Sequence, residues 1–269
     1  MDTKGLKKFK IKLFLLLTLS SLVWVNSLSM LLAQTSQKSS NRNIVFVPAK
    51  EQPDPPNHGT PETEEGTGSR GDCPYKENLP PPSSLVGNKS LISTINEYPS
   101  FWIYVPYSAS EVAGGEFILQ DGERDLYRTQ LELPDNIPGI VEVKLPPTSK
   151  PLKVGKKYRW YFEVDCSEEK NKARSVSFVS LTGIVCLVSP SGELNRELDN
   201  ARTSLESIEI FAKHGIWYET LTQLIHLRSQ EPENAVYRRL WHQLLTQAQV
   251  DKGNLVYETF AGQATVNLK

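Results

Sequence analysis

The sequence predicts a β-sandwich followed by a small all-α C-terminal segment, and three observations carry that prediction. The first is Leu152–Cys166 (LKVGKKYRWYFEVDC), in which Tyr158, Trp160, Phe162 and Val164 alternate with Arg159, Tyr161, Glu163 and Asp165. Alternation at period two, rich in aromatics, is the pattern of a half-buried strand, here a central one. The second is a series of short apolar runs from Leu85 to Leu187, separated by turn signals about every eight to twelve residues. The third is a change of period at Pro190, beyond which apolar residues recur at steps of three and four.

The chain has 269 residues, 39% hydrophobic and 23% charged, and a formal net charge of −1. That composition is globular, and no global field draws it to nucleic acid or an anionic membrane. Lys4, Lys7, Lys8 and Lys10 precede the apolar run Ile11–Val25, which itself holds Lys12, and Leu31-Leu32-Ala33 stands before Gln34. This tripartite order predicts a secretory signal peptide over 1–33. An uncleaved anchor is the competing reading, but Ser20, Ser21, Asn26, Ser27 and Ser29 dilute the second half of the run. Cleavage leaves no membrane span and a mature charge of about −5.

Residues 34–84 read as a proline-rich linker, with Pro48, Pro53, Pro55, Pro56, Pro61, Pro80, Pro81 and Pro82 among polar residues. Such a stretch buries too little apolar surface to offset ordering entropy. Ile44–Val47 is the exception and is a candidate edge strand. Arg70-Gly71-Asp72 spells an adhesive tripeptide but reads as an ordinary turn leading to Cys73.

The sandwich is assigned to 85–189, with about seven strands: Leu91–Ile95, Phe101–Val105, Glu116–Gln120, Asp125–Leu133, Gly139–Leu145, Leu152–Asp165 and Ser175–Leu187. Asp121-Gly122 is the strongest hairpin signal. The acids Asp121, Glu123 and Asp125 lack the further ligands of a calcium loop and read as a solvated hairpin tip. Leu152-x-x-Gly155-x-x-Tyr158 resembles the tyrosine corner of fibronectin type III and other immunoglobulin-like domains, which implies a sandwich of that kind.

Residues 190–250 predict three helices and 251–269 a tail. Glu193–Ala212 places Leu194, Leu198, Ala201, Leu205, Ile208 and Phe211 on one stripe, with Ser191 as N-cap and His214-Gly215 as the stop. Trp217–Arg228 and Glu233–Ala248 repeat the pattern. Helix, glycine turn, helix, Pro-Glu-Asn and helix resembles one and a half tetratricopeptide units, and equally a plain helical hairpin docked on the sandwich.

Three cysteines in an exported chain raise the disulfide question. Cys73, at the sandwich's N-terminal edge, and Cys166, at the end of the central strand, are the preferred pair; Cys166–Cys186 also fits neighbouring strands. Cys186 in the run IVCLV reads as a small buried hydrophobe. No cysteine or histidine pair has zinc spacing, and His58, His214, His226 and His242 are scattered. No nucleophile elbow, zinc-protease helix or phosphate loop is present in the sequence, so no catalytic, metal or cofactor residue is assigned.

Several stretches together resemble a family. They are Gly68-Ser69-Arg70-Gly71-Asp72-Cys73, Pro99–Tyr107 (PSFWIYVPY), Glu116–Asp121 (EFILQD), Lys157–Cys166 (KYRWYFEVDC) and His214–Leu221 (HGIWYETL). In this order they are similar to an exported cyanobacterial family, domain of unknown function 928. The resemblance implies an exported protein and no activity, and it implies cysteines at both Cys73 and Cys166, favouring that pair. The function expected is a non-enzymatic binding or structural module of the periplasm or cell envelope, its partner an envelope protein or glycan. The alternative is an envelope hydrolase or carbohydrate-binding protein using Trp102, Tyr104, Tyr107 and Tyr161. Trp217 and Tyr218, paired at the head of a helix, are the candidate partner-binding residues.

Overall fold

A computed structural model describes residues 42–48, 73, 76–87, 90–166, 178–251 and 254–267. The expected signal peptide, the Arg70-Gly71-Asp72 turn and His58 lie outside the described residues. The described residues form ten strands and four helices, in the order β1 (Ser83–Ser84), β2 (Ser93–Thr94), β3 (Ser100–Val105), β4 (Gly114–Asp121), β5 (Arg124–Glu132), β6 (Gly139–Lys144), β7 (Lys157–Asp165) and β8 (Phe178–Leu187). Next come α1 (Gly192–Asn200), α2 (Ser204–Lys213), α3 (Trp217–Gln230), α4 (Ala235–Gln247), a 3₁₀ turn (Leu255–Tyr257), β9 (Phe260–Gln263) and β10 (Thr265–Val266).

The strands form two sheets, β1-β3-β6-β9 and β10-β5-β4-β7-β8-β2. Strand β7 is interior, antiparallel to both β4 and β8, as its aromatic alternation requires. Tyr158, Trp160, Phe162 and Val164 are all buried on one face. The Tyr158 hydroxyl accepts from the Lys153 backbone N–H at 3.1 Å, the bond that a tyrosine corner makes. The β4–β5 hairpin turns through Gly122 and Glu123, with Gly122 at φ 61°, a left-handed position that favours glycine. Phe101 of β3 meets Phe117 of β4 at 4.7 Å and Trp160 of β7 at 5.6 Å, so the core is continuous from one sheet to the other.

Three elements differ from expectation. The stripe over Glu193–Ala212 is two helices. Thr203 caps α2 by accepting from the Glu206 N–H at 3.2 Å, while Glu206 Oε2 accepts from the Arg202 N–H at 2.7 Å. This closes a Thr-x-x-Glu cap in the middle of the apolar stripe and forces Ala201 out of helical geometry. Helix α2 ends in a Schellman motif: Ile216 N–H reaches Phe211 C=O at 2.9 Å and Gly215 N–H reaches Ala212 C=O at 3.1 Å, with Gly215 at φ 70°.

The stretch 251–269 is more than a tail, because β9 pairs in parallel with β6 and β10 pairs antiparallel with β5. One strand thus joins each sheet. Ile44–Val47 is extended but joins neither sheet; it lies on the helices. Among the described residues, no helix is long and apolar enough to cross a membrane.

Candidate functional site

Every residue of β3 is buried, which means both faces of the four-stranded sheet are covered. One face meets the other sheet. The opposite face, carrying Trp102 and Tyr104, meets α3. This helix runs along the gap between the sheets and fastens to both. Trp217 Nε1 donates to the Leu85 carbonyl at 2.8 Å, beside β1, and the Tyr218 hydroxyl donates to the Ile184 carbonyl of β8 at 3.2 Å. Glu219 Oε1 accepts from Thr94 Oγ1 of β2 at 2.7 Å and from the Ile95 N–H at 3.2 Å. One turn further, Trp102 Nε1 donates to Thr222 Oγ1 at 2.8 Å. The helices are therefore a hairpin docked on the sheets.

Trp217 and Tyr218, the candidate partner-binding residues, are at most 1% exposed. Both indole and phenol are consumed inside the chain's own core. An amphipathic period identifies an apolar face but not what covers it. Trp102, Tyr104, Tyr107 and Tyr161 are buried as well, so they do not form a solvent-facing aromatic row.

A group of titratable side chains lies under the second half of α3. Ser100 Oγ donates to Glu142 Oε1 at 2.5 Å, and His226 Nε2 lies 3.6 Å from Glu142 Oε2. Burial pushes the Glu142 carboxyl up, but His226, Ser100 and the Lys144 charge outweigh it and hold the group below the usual carboxylate range. Nearby, Arg228 donates to the Glu258 carbonyl at 2.6 Å and stacks 5.2 Å from the Trp241 ring centroid. Burial and the neighbouring Glu258 together raise the Tyr104 hydroxyl.

Serine, histidine and glutamate invite comparison with a nucleophilic triad, but the order is wrong. A triad places histidine between nucleophile and carboxylate, so that the imidazole takes the hydroxyl proton. Here the carboxylate stands between the other two. A carboxylate with a lowered pKa is a weak base, so the arrangement anchors a helix to a sheet. Sequence reasoning missed Glu142 because its strand alternates as though that face met water. The continuous apolar run Phe101–Val105 on the neighbouring strand was the available signal that the face is covered.

Cys73 and Cys166 form a disulfide. Cys186 is buried and free, and burial pushes its thiol up. Asp121 pairs with Lys156 at 2.6 Å and Asp125 with Arg128 at 2.7 Å, so the hairpin acids are engaged with cations. No three metal-binding side chains cluster among the described residues. A shallow groove of about 690 Å³ between α1 and α2 is lined by mixed charges, and Glu197 there pairs with Lys213 at 2.6 Å and with His214 beside the groove at 3.1 Å.

No curated protein and no solved structure matches the chain. Its disulfide, its two sheets and the helix that seams them all lie within residues 65–258 apart from the two C-terminal strands. That same span matches the model of the family described as Domain of Unknown Function (DUF928), and the chain belongs to that family.

Proposed function

We propose that the chain is an exported cyanobacterial cell-envelope protein that works as a non-enzymatic binding or structural module on an immunoglobulin-like β-sandwich. The observation that carries this reading is how α3 spends its polar groups. Trp217, Tyr218, Glu219, Thr222 and His226 each engage a strand or its flank, leaving the reactive side chains of this layer to hold architecture. The Cys73–Cys166 bond supports an oxidising compartment. The sandwich reading is supported by the pairing of β3 with β1 and β6, the separate run β5-β4-β7-β8, and the Tyr158 corner at the start of β7.

The test is expression of the tagged full chain followed by fractionation, mass mapping and in-envelope crosslinking. The expected outcome is exported protein starting near Gln34, with Cys73 joined to Cys166 and a discrete crosslinked partner. A reduced chain kept in the cytoplasm overturns the export reading. Turnover of an ester, peptide or glycan substrate that E142Q abolishes overturns the non-enzymatic one.

A further inference from the structure

Ile44–Pro48 lies across the helices as a bound peptide would. Ile44 and Phe46 point inward and are buried, while Val45 and Val47 point outward and are 64% and 49% exposed. The Phe46 ring meets the Trp217 ring edge-on at 4.8 Å. The backbone is read as well. Gln247, the last residue of α4, accepts from the Phe46 N–H at 3.1 Å through Oε1 and donates to the Ile44 carbonyl at 2.8 Å through Nε2. In an extended chain the C=O of one residue and the N–H two residues on project from the same edge, and a neighbouring parallel strand bonds both with a single residue. The Gln247 carboxamide takes the place of that residue. A third bond, Val47 N–H to the Ala212 carbonyl of α2 at 3.0 Å, shares an acceptor that the Gly215 N–H of the helix's C-terminal turn also uses, since a carbonyl has two lone pairs.

We propose that this cleft, walled by α2, α3 and α4, is a receptor site for an extended peptide with bulky apolar side chains at two alternate positions, and that Ile44–Pro48 is its resident ligand in cis. The occupant in function is a partner's segment of the same chemistry, which displaces the resident one. This deepens the reading of the chain as a binding module and rests on it. Three observations favour a displaceable ligand over an ordinary structural strand. The segment pairs with neither sheet. Among the described residues it holds on through two side chains and three hydrogen bonds, two of them to one exposed glutamine. It also falls outside residues 65–258, whereas Ala212, Trp217 and Gln247 fall inside. Twenty-four residues, 49–72, separate Pro48 from the Cys73 staple in sequence.

A tethered ligand is held at an effective concentration on the order of mM, so a free peptide competes poorly until the tether is cut. The experiment uses the folded full chain with a protease site inserted after Thr60, and a labelled peptide spanning residues 42–48 as probe. Before cleavage the probe should bind at least 10-fold more weakly than after it. After cleavage, the probe should displace the N-terminal fragment saturably at one per chain. Q247A should weaken probe binding about 10-fold, and a probe carrying Phe46→Asp should not bind. A fragment that stays bound under excess probe overturns the proposal. So does a displacement that melts the helices by circular dichroism, since the segment is then structural. Concentration-dependent dimers of the uncut chain that Phe46→Asp abolishes would assign the cleft to a second copy and overturn the partner assignment. None of these outcomes bears on localisation or envelope crosslinking, so the module reading stands or falls separately.

Discussion

The two sheets differ in what lies on their outer faces. The four-stranded sheet is covered on both sides: Trp102 and Glu142 on its outer face are at most 5% exposed beneath α3. The six-stranded sheet carries an open ladder on its outer face, where Arg128 bonds Glu116 at 2.8 Å and Asp125 at 2.7 Å in reach of water. The same kinds of side chain do different work on the two faces. Under α3 a carboxylate fixes a helix, whereas on the open face carboxylates and arginine only solvate a strand surface. The contrast teaches that α3 belongs to the core of the sheet domain.

The sharpest way to break this comparison is W217A. It removes a fully buried indole and its bond to Leu85, and an effect of about 4 kcal/mol is expected from truncating a large core aromatic. Denaturant unfolding would measure it, and a loss under about 1 kcal/mol would mean that α3 is an appendage after all. Y158F comes next. The Lys153 N–H loses its acceptor while the ring stays packed, so a loss of about 1–2 kcal/mol is expected in the denaturation midpoint.

Glu219 and Glu142 sharpen the comparison through pH. Burial raises the Glu219 carboxyl, and its hydrogen bonds from Thr94 and Ile95 only partly oppose this. The folded state then binds the proton more tightly than the unfolded one. Its contribution is complete below the ordinary glutamate range and is lost as pH rises through the elevated folded value. Melting temperatures of E219Q relative to wild type should therefore shift in favour of the variant from pH 4 to pH 7. Glu142, held low, has the opposite sign: its stabilisation is present at neutral pH and is lost as pH falls through the depressed folded value. The deficit of E142Q should shrink in acid, and parallel pH profiles for the two variants would refute the assignment. The smallest effect is expected on the open face, where R128A should cost under about 0.5 kcal/mol because exposed ion pairs are screened and entropically costly. A larger loss would mean that this face is covered by a partner.

Features set by neighbouring residues were legible in the sequence. Strand β7, its tyrosine corner, the Gly122 turn and the glycine stop of α2 rest on local chemistry, and each was found where its residues pointed. The Thr203-x-x-Glu206 cap was equally local, but the apolar stripe running through it outweighed it. Other features depend on distant parts of the chain. Nothing in Trp217 and Tyr218 tells that Leu85 and Ile184 will accept their hydrogens, and nothing in Glu142 announces a helix eighty residues on. The short strands β9 and β10 are too brief for periodicity to register, and they exist because edges in two sheets await them.

Those late strands bear on how the chain is made. Because residues 260–263 border β6 and residues 265–266 border β5, a chain emerging N-terminus first has two open sheet margins until this stretch arrives. Unpaired margins recruit other strands, so an interrupted or clipped product would be sticky as well as incomplete. Because residues 260–266 supply an outermost strand to each sheet, losing this one short stretch would uncover β6 and β5 together.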